Sequence, residues 1–284
     1  MQTFFNQATL SYNGGSTTSN IVQGELIEVL SADKTATASS YVPGETVTYA
    51  VSIVNSGTVP YNGVTVTDNL GGFDFNGTTL YPLDYVDGSA RLFVNGVLQT
   101  TPTTVAGPPL VFTGINVPAG GDAVLIYSAR ANSFAPLGTD SVITNTATLS
   151  GSGISTPVTA NETLPASEEP ALTIAKTLNP TTVPENGQLT YTFIISNFGA
   201  TAAEATDNLV VTDNFDPILD PVTVSYNGIL WEDGTNYTYD ETTGLFTTLA
   251  GQITVPAATY TQDATTGEWS VTPGTATLTV TGTV

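Results

Sequence analysis

The chain has 284 residues, enough for two domains of ordinary size that each bury their own hydrophobic core. It contains no Cys and no His, which excludes a disulfide framework, Cys/His metal sites and catalytic triads that need a thiol or an imidazole. Its 25 acidic and 4 basic residues give a net charge of −21, which repels nucleic acid and anionic lipid surfaces alike.

The first predicted element in chain order is a short strand with the sequence NQATL, which begins at Asn6. The residues before it lack the basic, apolar and small-residue regions of a secretory signal. No apolar run approaches the about 18 residues that are needed to cross a bilayer. Either a signal has been removed or the protein leaves its compartment by another route. Nearly the same strand sequence returns later as NTATL, from Asn145.

The elements that follow occur twice. One run reads DKTATASSYVPGETVTYAVSIVNSG from Asp33, and its counterpart reads AKTLNPTTVPENGQLTYTFIISNFG from Ala175. Both continue into an alternating strand that ends in VTDN. Alternation of apolar and polar residues, with Gly, Asn and Pro between short runs, is typical of antiparallel sheets. Hairpin turns are predicted at Asn62, Asn95, Asn227, Thr242 and Thr265.

These residues carry a family resemblance. The run from Lys34 through VPGETVTYAVSIVNSG to VTVTDNL resembles the conserved-repeat domain of unassigned function that occurs in tandem on bacterial surface proteins. The resemblance implies an all-β fold of two tandem immunoglobulin-like β-sandwich domains, each ending in a strand of the form NTATL. It covers almost the whole chain twice, and it implies a building module rather than a particular activity.

The two copies differ at their ends. Copy one reaches NTATL at Asn145 and joins copy two through an acidic, Pro-containing linker, whereas copy two ends at Val284 without such a strand. The strand at Asn6 matches the one that is missing. The sequence therefore predicts a donor strand and linker over residues 1–24, a complete sandwich with its linker over residues 25–168, and a sandwich without its last strand over residues 169–284.

A sandwich without one strand exposes core residues and unpaired backbone groups, so another strand is expected to fill the gap. The inward-facing residues of the predicted donor strand are Phe4, Asn6, Ala8 and Leu10. The acceptor is either the same chain or a neighbouring molecule. If both junctions have similar geometry, the acceptor precedes domain one, whereas the chain's own second domain follows it. This favours a neighbour, and a head-to-tail contact that does not close generates a fibre.

Each predicted domain turns one Lys, one Asp and one Asn towards its core. They are Lys34, Asp68 and Asn145 in the first domain, and Lys176, Asp213 and the donated Asn6 in the second. Burial lowers the pKa of a lysine amine and raises that of a carboxyl, so a neutral amine beside a protonated acid is expected. An unprotonated amine held against a carboxamide is a nucleophile in place.

This set resembles the self-crosslinking sandwich domains of Gram-positive pilins and adhesins, which place Lys on an early strand, Asn on the last strand and Asp or Glu between them. The resemblance implies an isopeptide bond between Lys34 and Asn145, with Asp68 as the acid and ammonia as the leaving group. In the second domain it implies that Lys176 and Asp213 act on Asn6 of the next subunit.

Simpler interpretations stay open for the same residues. Asp before Asn at the end of a strand is often a turn former. A Lys near a strand end can extend its amine to solvent while its stem packs. A Lys and an Asp can also stay buried as a pair that does not react.

These features predict a structural protein: the subunit of a pilus-like fibre or spore appendage, a homopolymer built head to tail by donor-strand exchange and cross-linked within and between subunits. The resemblance implies an extracellular place on a bacterial cell or spore surface. No cofactor, metal, nucleic acid or membrane insertion is expected, and no enzyme activity beyond self-catalysed cross-linking. The alternative is an adhesin stalk or a ligand-binding fragment of a larger surface protein, with a host or surface ligand that the sequence does not identify.

Overall fold

The structure of the protein is a computed structural model that describes residues 2–151 and 153–284. The described residues form an all-β fold, with one 3-10 helix at Ala205–Asp207 and no α-helix. No helix in this part of the chain is long and apolar enough to cross a membrane. Contacts divide the chain into two compact units. The first comprises residues up to Ser39, Glu45–Ala131 and Thr144–Leu164, and the second comprises Ser40–Gly44, Asn132–Ile143 and Pro165–Val284. The predicted domain boundaries stay a prediction.

The strands are numbered in chain order. The first four are β1 (Gln2–Asn6), β2 (Thr9–Tyr12), β3 (Gly15–Thr18) and β4 (Val22–Leu26). The next thirteen are β5 (Leu30–Ala36), β6 (Thr46–Asn55), β7 (Tyr61–Asp68), β8 (Phe73–Phe75), β9 (Thr78–Leu80), β10 (Leu83–Tyr85), β11 (Arg91–Val94), β12 (Val97–Leu98), β13 (Thr103–Val105), β14 (Leu110–Val117), β15 (Asp122–Ala131), β16 (Val142–Ser150) and β17 (Val158–Pro165). The last ten are β18 (Leu172–Asn179), β19 (Gln188–Asn197), β20 (Thr212–Asn214), β21 (Val222–Tyr226), β22 (Ile229–Leu230), β23 (Tyr237–Asp240), β24 (Leu245–Thr248), β25 (Thr259–Gln262), β26 (Trp269–Thr272) and β27 (Gly274–Thr283).

The four N-terminal strands form one long hairpin. β1 pairs antiparallel with β4, with Phe4 opposite Gly24 and Asn6 opposite Val22, and β2 pairs with β3. The predicted single strand from Phe4 to Leu10 is divided in two, because the register shifts between the two pairs of strands. The side chains of Phe4 and Leu10 are 53% and 65% exposed.

The first unit contains two sheets that face each other. One has the strand order β12-β11-β15-β6-β5, with β10 also on β15, and the other has the order β13-β14-β7-β16-β17. The ring of Phe112 on β14 lies 5.3 Å from the ring of Tyr127 on β15, which places the two inner faces in contact. Strand β7 is flanked by β14 and β16, so both of its edges are paired. The result is a complete β-sandwich.

The second unit repeats one sheet and only part of the other. Its first sheet has the order β18-β19-β27-β21-β22, which corresponds to β5-β6-β15-β11-β12 through the sequence repeat. Its second sheet has the order β20-β24-β23, which corresponds to β7-β14-β13. Among the described strands, β20 pairs with β24 alone. It is only three residues long.

The repeated asparagines at the end of β6 and β19 are structural. Asn55 and Asn197 are both fully buried. The Nδ2 of Asn55 donates to the Val59 and Pro118 carbonyls at 2.9 Å, and the Nδ2 of Asn197 donates to the Thr201 carbonyl at 2.7 Å. Each buried amide therefore holds the loop that follows its strand by hydrogen bonds to the loop carbonyls.

Four of the five predicted hairpin turns are present. Asn95 and Asn227 have φ angles of 47° and 50°, and each precedes a Gly with positive φ, as a type I′ turn requires. The two TTG segments also lie in turns, between β23 and β24 and between β25 and β26. The turn predicted at Asn62 is wrong. Asn62 lies within β7, and Gly63, with a φ of 71°, adopts its left-handed conformation at a bulge where the register with β14 shifts.

Candidate cross-linking site

Three strands of the first unit bring one Lys, one Asp and one Asn into the space between its sheets. β5 carries Lys34, β7 carries Asp68 and β16 carries Asn145. Lys34 is 2% exposed, and Asp68 and Asn145 are fully buried. The alternation of each strand produces this placement, because every second residue points to the same face of a sheet. The structure thus groups these three predicted site residues in one buried cluster.

Hydrogen bonds connect the cluster in a chain. The Nζ of Lys34 lies 2.5 Å from the Oδ2 of Asp68. The Tyr127 hydroxyl also donates to this Oδ2, and it accepts a hydrogen bond from the Nδ2 of Asn145 at 3.3 Å. The Oδ1 of Asp68 accepts a hydrogen bond from the backbone N–H of Leu70 at 2.9 Å. The buried Oδ1 of Asn145 has no hydrogen-bond partner among the described residues, so its carbonyl can accept a proton donor.

Burial controls the protonation of this cluster. Desolvation lowers the pKa of the Lys34 amine to about 8, although the charges of Asp68 and Glu162 act to raise it. Desolvation, followed by the charge of Asp68, raises the pKa of the Tyr127 hydroxyl well above its usual value. Tyr127 therefore stays a hydrogen-bond donor at physiological pH. Lys34 gives up its proton far more easily than a lysine in water, which is the property that a lysine nucleophile needs.

The second unit has the Lys and the Asp in an open setting. The Lys176 ammonium pairs with the Asp213 carboxylate, and its Nζ lies 4.4 Å from the centre of the Tyr191 ring. The side chain of Lys176 is 40% exposed, whereas that of Lys34 is fully buried. Val280 lies opposite Tyr191, at the position that Tyr127 occupies opposite Tyr49 in the first unit. This pair therefore lacks both the burial and the bridging hydroxyl of the first.

An apolar groove lies close to this open pair. It has a volume of about 180 Å³ and is lined by Leu172, Thr173, Ile174, Ile195 and the segment Leu209–Val211. Leu172 is 39% exposed, whereas Leu30, its counterpart in the first unit, is 7% exposed. The sequence pattern predicts an inward-facing Leu at both positions. The difference arises because β16 and β17 have no counterparts among the described strands of the second unit.

The predicted donor residues lie on the N-terminal hairpin. Phe4 and Asn6 belong to β1, Leu10 belongs to β2, and Ala8 lies between these strands. All four are exposed. The carboxamide of Asn6 is thus presented to solvent in the described structure.

Sequence reasoning missed two residues that contribute to the cluster. Tyr127 was not predicted as a site residue, although alternation along GGDAVLIYSARAN places it inward. The second is Asn69, whose Oδ1 accepts a hydrogen bond from the Thr146 N–H at 2.8 Å and whose N–H donates to the Thr146 carbonyl at 3.0 Å. The repeated sequence VTDN was a signal for it, because turn formation alone does not require the same Asn twice.

If Lys34 reacts with Asn145 as the sequence predicts, we expect Tyr127→Phe to slow the reaction by about tenfold, because the Asn145 carboxamide loses a hydrogen bond that fixes its orientation. The measurement is intact mass after pulsed cell-free synthesis, quenched with denaturant, in which the bonded form is lighter by one ammonia. Tyr85→Phe is the matched control, since this ring also packs against Phe112 but lies outside the hydrogen-bonded chain. If the two variants reacted at equal rates, Tyr127 would have no role in the reaction.

The sequence matches no protein-family model, and no curated protein matches it either. Several solved structures resemble the fold weakly. The major pilin subunit of Bacillus cereus is 11% identical over 72% of this chain and 58% of that one, with a TM-score of 0.37. The pilus backbone of Streptococcus pneumoniae is 14% identical over 86% and 56%, with a TM-score of 0.34. The collagen-binding domain of a Staphylococcus aureus adhesin is 11% identical over 47% and 95%, with a TM-score of 0.31.

In the two pilin comparisons the chain spans less than two thirds of the matched chain's length. A red sea bream transglutaminase matches at a similar level, with 13% identity and a TM-score of 0.30. Likenesses this weak identify neither a family nor a function.

Proposed function

We propose that the protein is the structural subunit of an extracellular bacterial fibre, which grows head to tail when the N-terminal hairpin of one molecule completes the second unit of the next. One observation carries this proposal. The edge of β20 has no partner among the described strands and lies beside a partly exposed Lys–Asp pair, while a segment whose sequence resembles that of β16 lies exposed on the N-terminal hairpin. Unpaired edges of this kind template the addition of a strand.

The first unit indicates the strand register that we expect at the joint, which is the contact between the N-terminal hairpin of one subunit and the second unit of the next. In it, Ala147 lies opposite Asp68, and Leu149 lies opposite Val66. The repeat maps these two pairs to Ala8 opposite Asp213 and Leu10 opposite Val211 of the neighbour. Main-chain hydrogen bonds of the new ladder then provide affinity, and the alternating side chains provide register.

The cluster in the first unit supports a self-catalysed isopeptide bond. The unprotonated Nζ of Lys34 attacks the Cγ of Asn145, a bond forms between Nζ and Cγ, and the bond from Cγ to Nδ2 breaks. Asp68, which takes up the Lys34 proton across their hydrogen bond, donates it to the carbonyl Oδ1 and then passes protons from the amine to Nδ2, which leaves as ammonia. The acid recovers its proton, so the reaction needs no oxidant or cofactor. Pre-positioning in a desolvated pocket replaces an external catalyst.

The same chemistry at the joint uses Lys176 and Asp213 of the acceptor and Asn6 of the donor. In the free subunit Lys176 is partly solvated, so its charge is stabilised by water as well as by Asp213. The docked donor strand covers the pair and removes that water. Cross-linking at the joint therefore follows docking, whereas the bond within the first unit needs only the folding of that unit.

A cross-linked fibre suits a place outside the cell. Amide bonds at each joint keep the polymer continuous even where a sandwich unfolds, and the net charge of −21 keeps it soluble and away from anionic surfaces. A bacterial cell or spore surface, in a pilus-like fibre or spore appendage, is the setting that we propose.

The test of assembly is sedimentation velocity with negative-stain imaging of the purified chain over a range of concentrations. We expect species much larger than the monomer and thin filaments whose length grows with concentration. A ligand-binding adhesin fragment would instead stay monomeric throughout. Monomer alone at high concentration, with the hairpin intact by mass, would overturn the proposal.

A further inference from the structure

The N-terminal hairpin reproduces two strands of the first unit rather than one. The match of Asn6 to Asn145 aligns Phe5 with Thr144, and Phe5 lies opposite Gln23 of β4. Thr144 of β16 likewise contacts Thr163 of β17, with their hydroxyl oxygens 3.0 Å apart. β1 and β4 therefore have the relation of β16 to β17, and a turn at Asn13 and Gly14 replaces the longer connection between them.

In the first unit β17 is part of the sandwich. Its Ala160 and Leu164 are buried, and the charge of Glu162 acts on the Lys34 amine of the opposite sheet. β17 lies at the end of its sheet, beyond β16. The described strands of the second unit include no counterpart of either β16 or β17, so two adjacent positions of its sheet are vacant.

The hairpin has a face that suits both positions. Residues directly opposite each other in an antiparallel pair point to the same face. Phe4 and Asn6 of β1 therefore share a face with Gly24 and Val22 of β4. The Phe4 ring lies over Gly24, where an added Cβ would come within 2.4 Å of it. One large and one small residue thus form this pair, and the contact of the Phe4 ring with Gly24 packs the two strands against each other.

We propose that the donor is this whole two-stranded hairpin, with β1–β2 beside β20 of a second copy of the chain and β3–β4 in the outer position equivalent to β17. The inference rests on the proposed function and specifies its interface. It places Val22 of the donor where Glu162 stands in the first unit. The joint pocket around Lys176 then has Val22 and Val280 in place of a carboxylate and a tyrosine, which makes it more apolar than the pocket around Lys34.

A reversible lock on the hairpin tests this directly. The chain has no Cys, so Phe5→Cys with Gln23→Cys forms one defined disulfide across β1 and β4, on the face that points away from Asn6. Directly opposed residues of an antiparallel pair lie at a Cα separation that a disulfide accepts. We expect the oxidised and the reduced forms to polymerise at rates within about twofold of each other.

If β1 had to separate from β4 in order to dock, the oxidised form would stay monomeric and reduction would restore polymerisation. That result would overturn the hairpin inference and leave donor-strand exchange intact. If the wild type itself failed to polymerise, the proposed function would be wrong instead.

A second measurement covers the case in which the double-Cys variant fails in both redox states. In an Asn6→Ala background, which makes the joint non-covalent and reversible, Val22→Lys is expected to raise the critical concentration for polymerisation by about tenfold or more, because docking would place a second ammonium beside Lys176, where the first unit has the carboxylate of Glu162. Gln23→Lys, on the opposite face of the same strand, should leave it within about twofold. Equal behaviour of the two variants would show that β4 stays outside the joint.

Discussion

The Asn6→Ala variant is expected to run as monomer alone on a denaturing gel after boiling, under conditions in which the wild type forms a ladder of subunit multiples. The change removes the inward-facing carboxamide that the proposed joint presents to Lys176, so no covalent joint is expected to form. Its monomer should still weigh one ammonia less than the sequence predicts, because the bond between Lys34 and Asn145 is unaffected. Thr3→Ala, which alters the opposite face of β1, should retain the ladder.

Complementation between two variants shows which molecule supplies the donor. Lys176→Ala keeps a competent Asn6 but has no acceptor amine, and Asn6→Ala keeps the amine but has no donor. Each variant alone should give boiled monomer, and an equal mixture should give covalent dimer and nothing longer. Insertion of the hairpin into its own chain would instead give wild-type monomer that is lighter by two ammonia molecules, with no dimer in the mixture.

Strand alternation and the internal repeat were sufficient to predict the architecture of the cluster. Lys34 lies four residues after Leu30, and Asn145 lies four residues before Leu149. Because alternate residues of a strand point to the same face, each polar side chain is expected to face inward with its apolar neighbour. The comparison of the two copies also indicated which strand the second one lacks. The first signal lies within a single strand and the second comes from comparing the chain with itself, so neither requires knowledge of tertiary contacts.

The features that were missed depend on contacts between distant segments. Nothing near Tyr127 shows that its hydroxyl will meet Asp68 and Asn145, since the three lie on different strands. Asn62 and Gly63 have the residues of a turn, but the partner strand β14 makes them a bulge. The pairing of β1 with β4 was missed because β4 is short and contains Gly24. A glycine within a strand does not by itself indicate that an aromatic ring, here that of Phe4, packs over it.

The Lys34 and Lys176 clusters differ in burial and in hydrogen bonding, and this difference predicts that the two proposed cross-links form at different times. Lys34 lies in a pocket that closes when the first unit folds, with Tyr127 already bonded to both Asp68 and Asn145. The side chain of Lys176 is 40% exposed, and Val280 stands opposite Tyr191 where the first unit has Tyr127, so the described part of the second unit has no matching hydroxyl to hold a carboxamide. Under the proposed chemistry, we expect such a subunit to react internally as soon as it folds, and to react with a neighbour only after strand addition.

The Asn145→Ala variant is expected to lower the free energy of unfolding of the first unit by about 4–5 kcal/mol. A cross-link that closes a loop of about 100 residues restricts the unfolded chain by that amount, and the proposed bond from Lys34 to Asn145 would close a loop of this size. Hydrogen exchange of the amides in β7 and β16, followed by mass spectrometry, reports on this unit separately. Thr146→Ala, on the outer face of the same strand, is the control and should change stability by less than about 1 kcal/mol.

The stability difference between wild type and Asn145→Ala should depend on pH in a way that identifies the amine. In the variant Lys34 stays a free amine whose pKa is lowered by burial to about 8, against 10.5 for the ordinary value. Below pH 8 the amine is protonated in both the folded and the unfolded state, so the full cost of the buried charge opposes folding. Between pH 8 and 10.5 the unfolded state binds more protons, so the variant gains stability as the pH rises, by up to about 3 kcal/mol.

In the cross-linked wild type Lys34 is an amide nitrogen and does not titrate in this range. Tyr49 and Tyr127, whose pKa values burial raises, are common to both proteins, so their effect on the difference largely cancels. The stability gap should therefore narrow from pH 8 to 10.5. A gap that stays constant over this range, with the wild type at its full unmodified mass, would mean that Lys34 and Asp68 form a buried pair that never reacts.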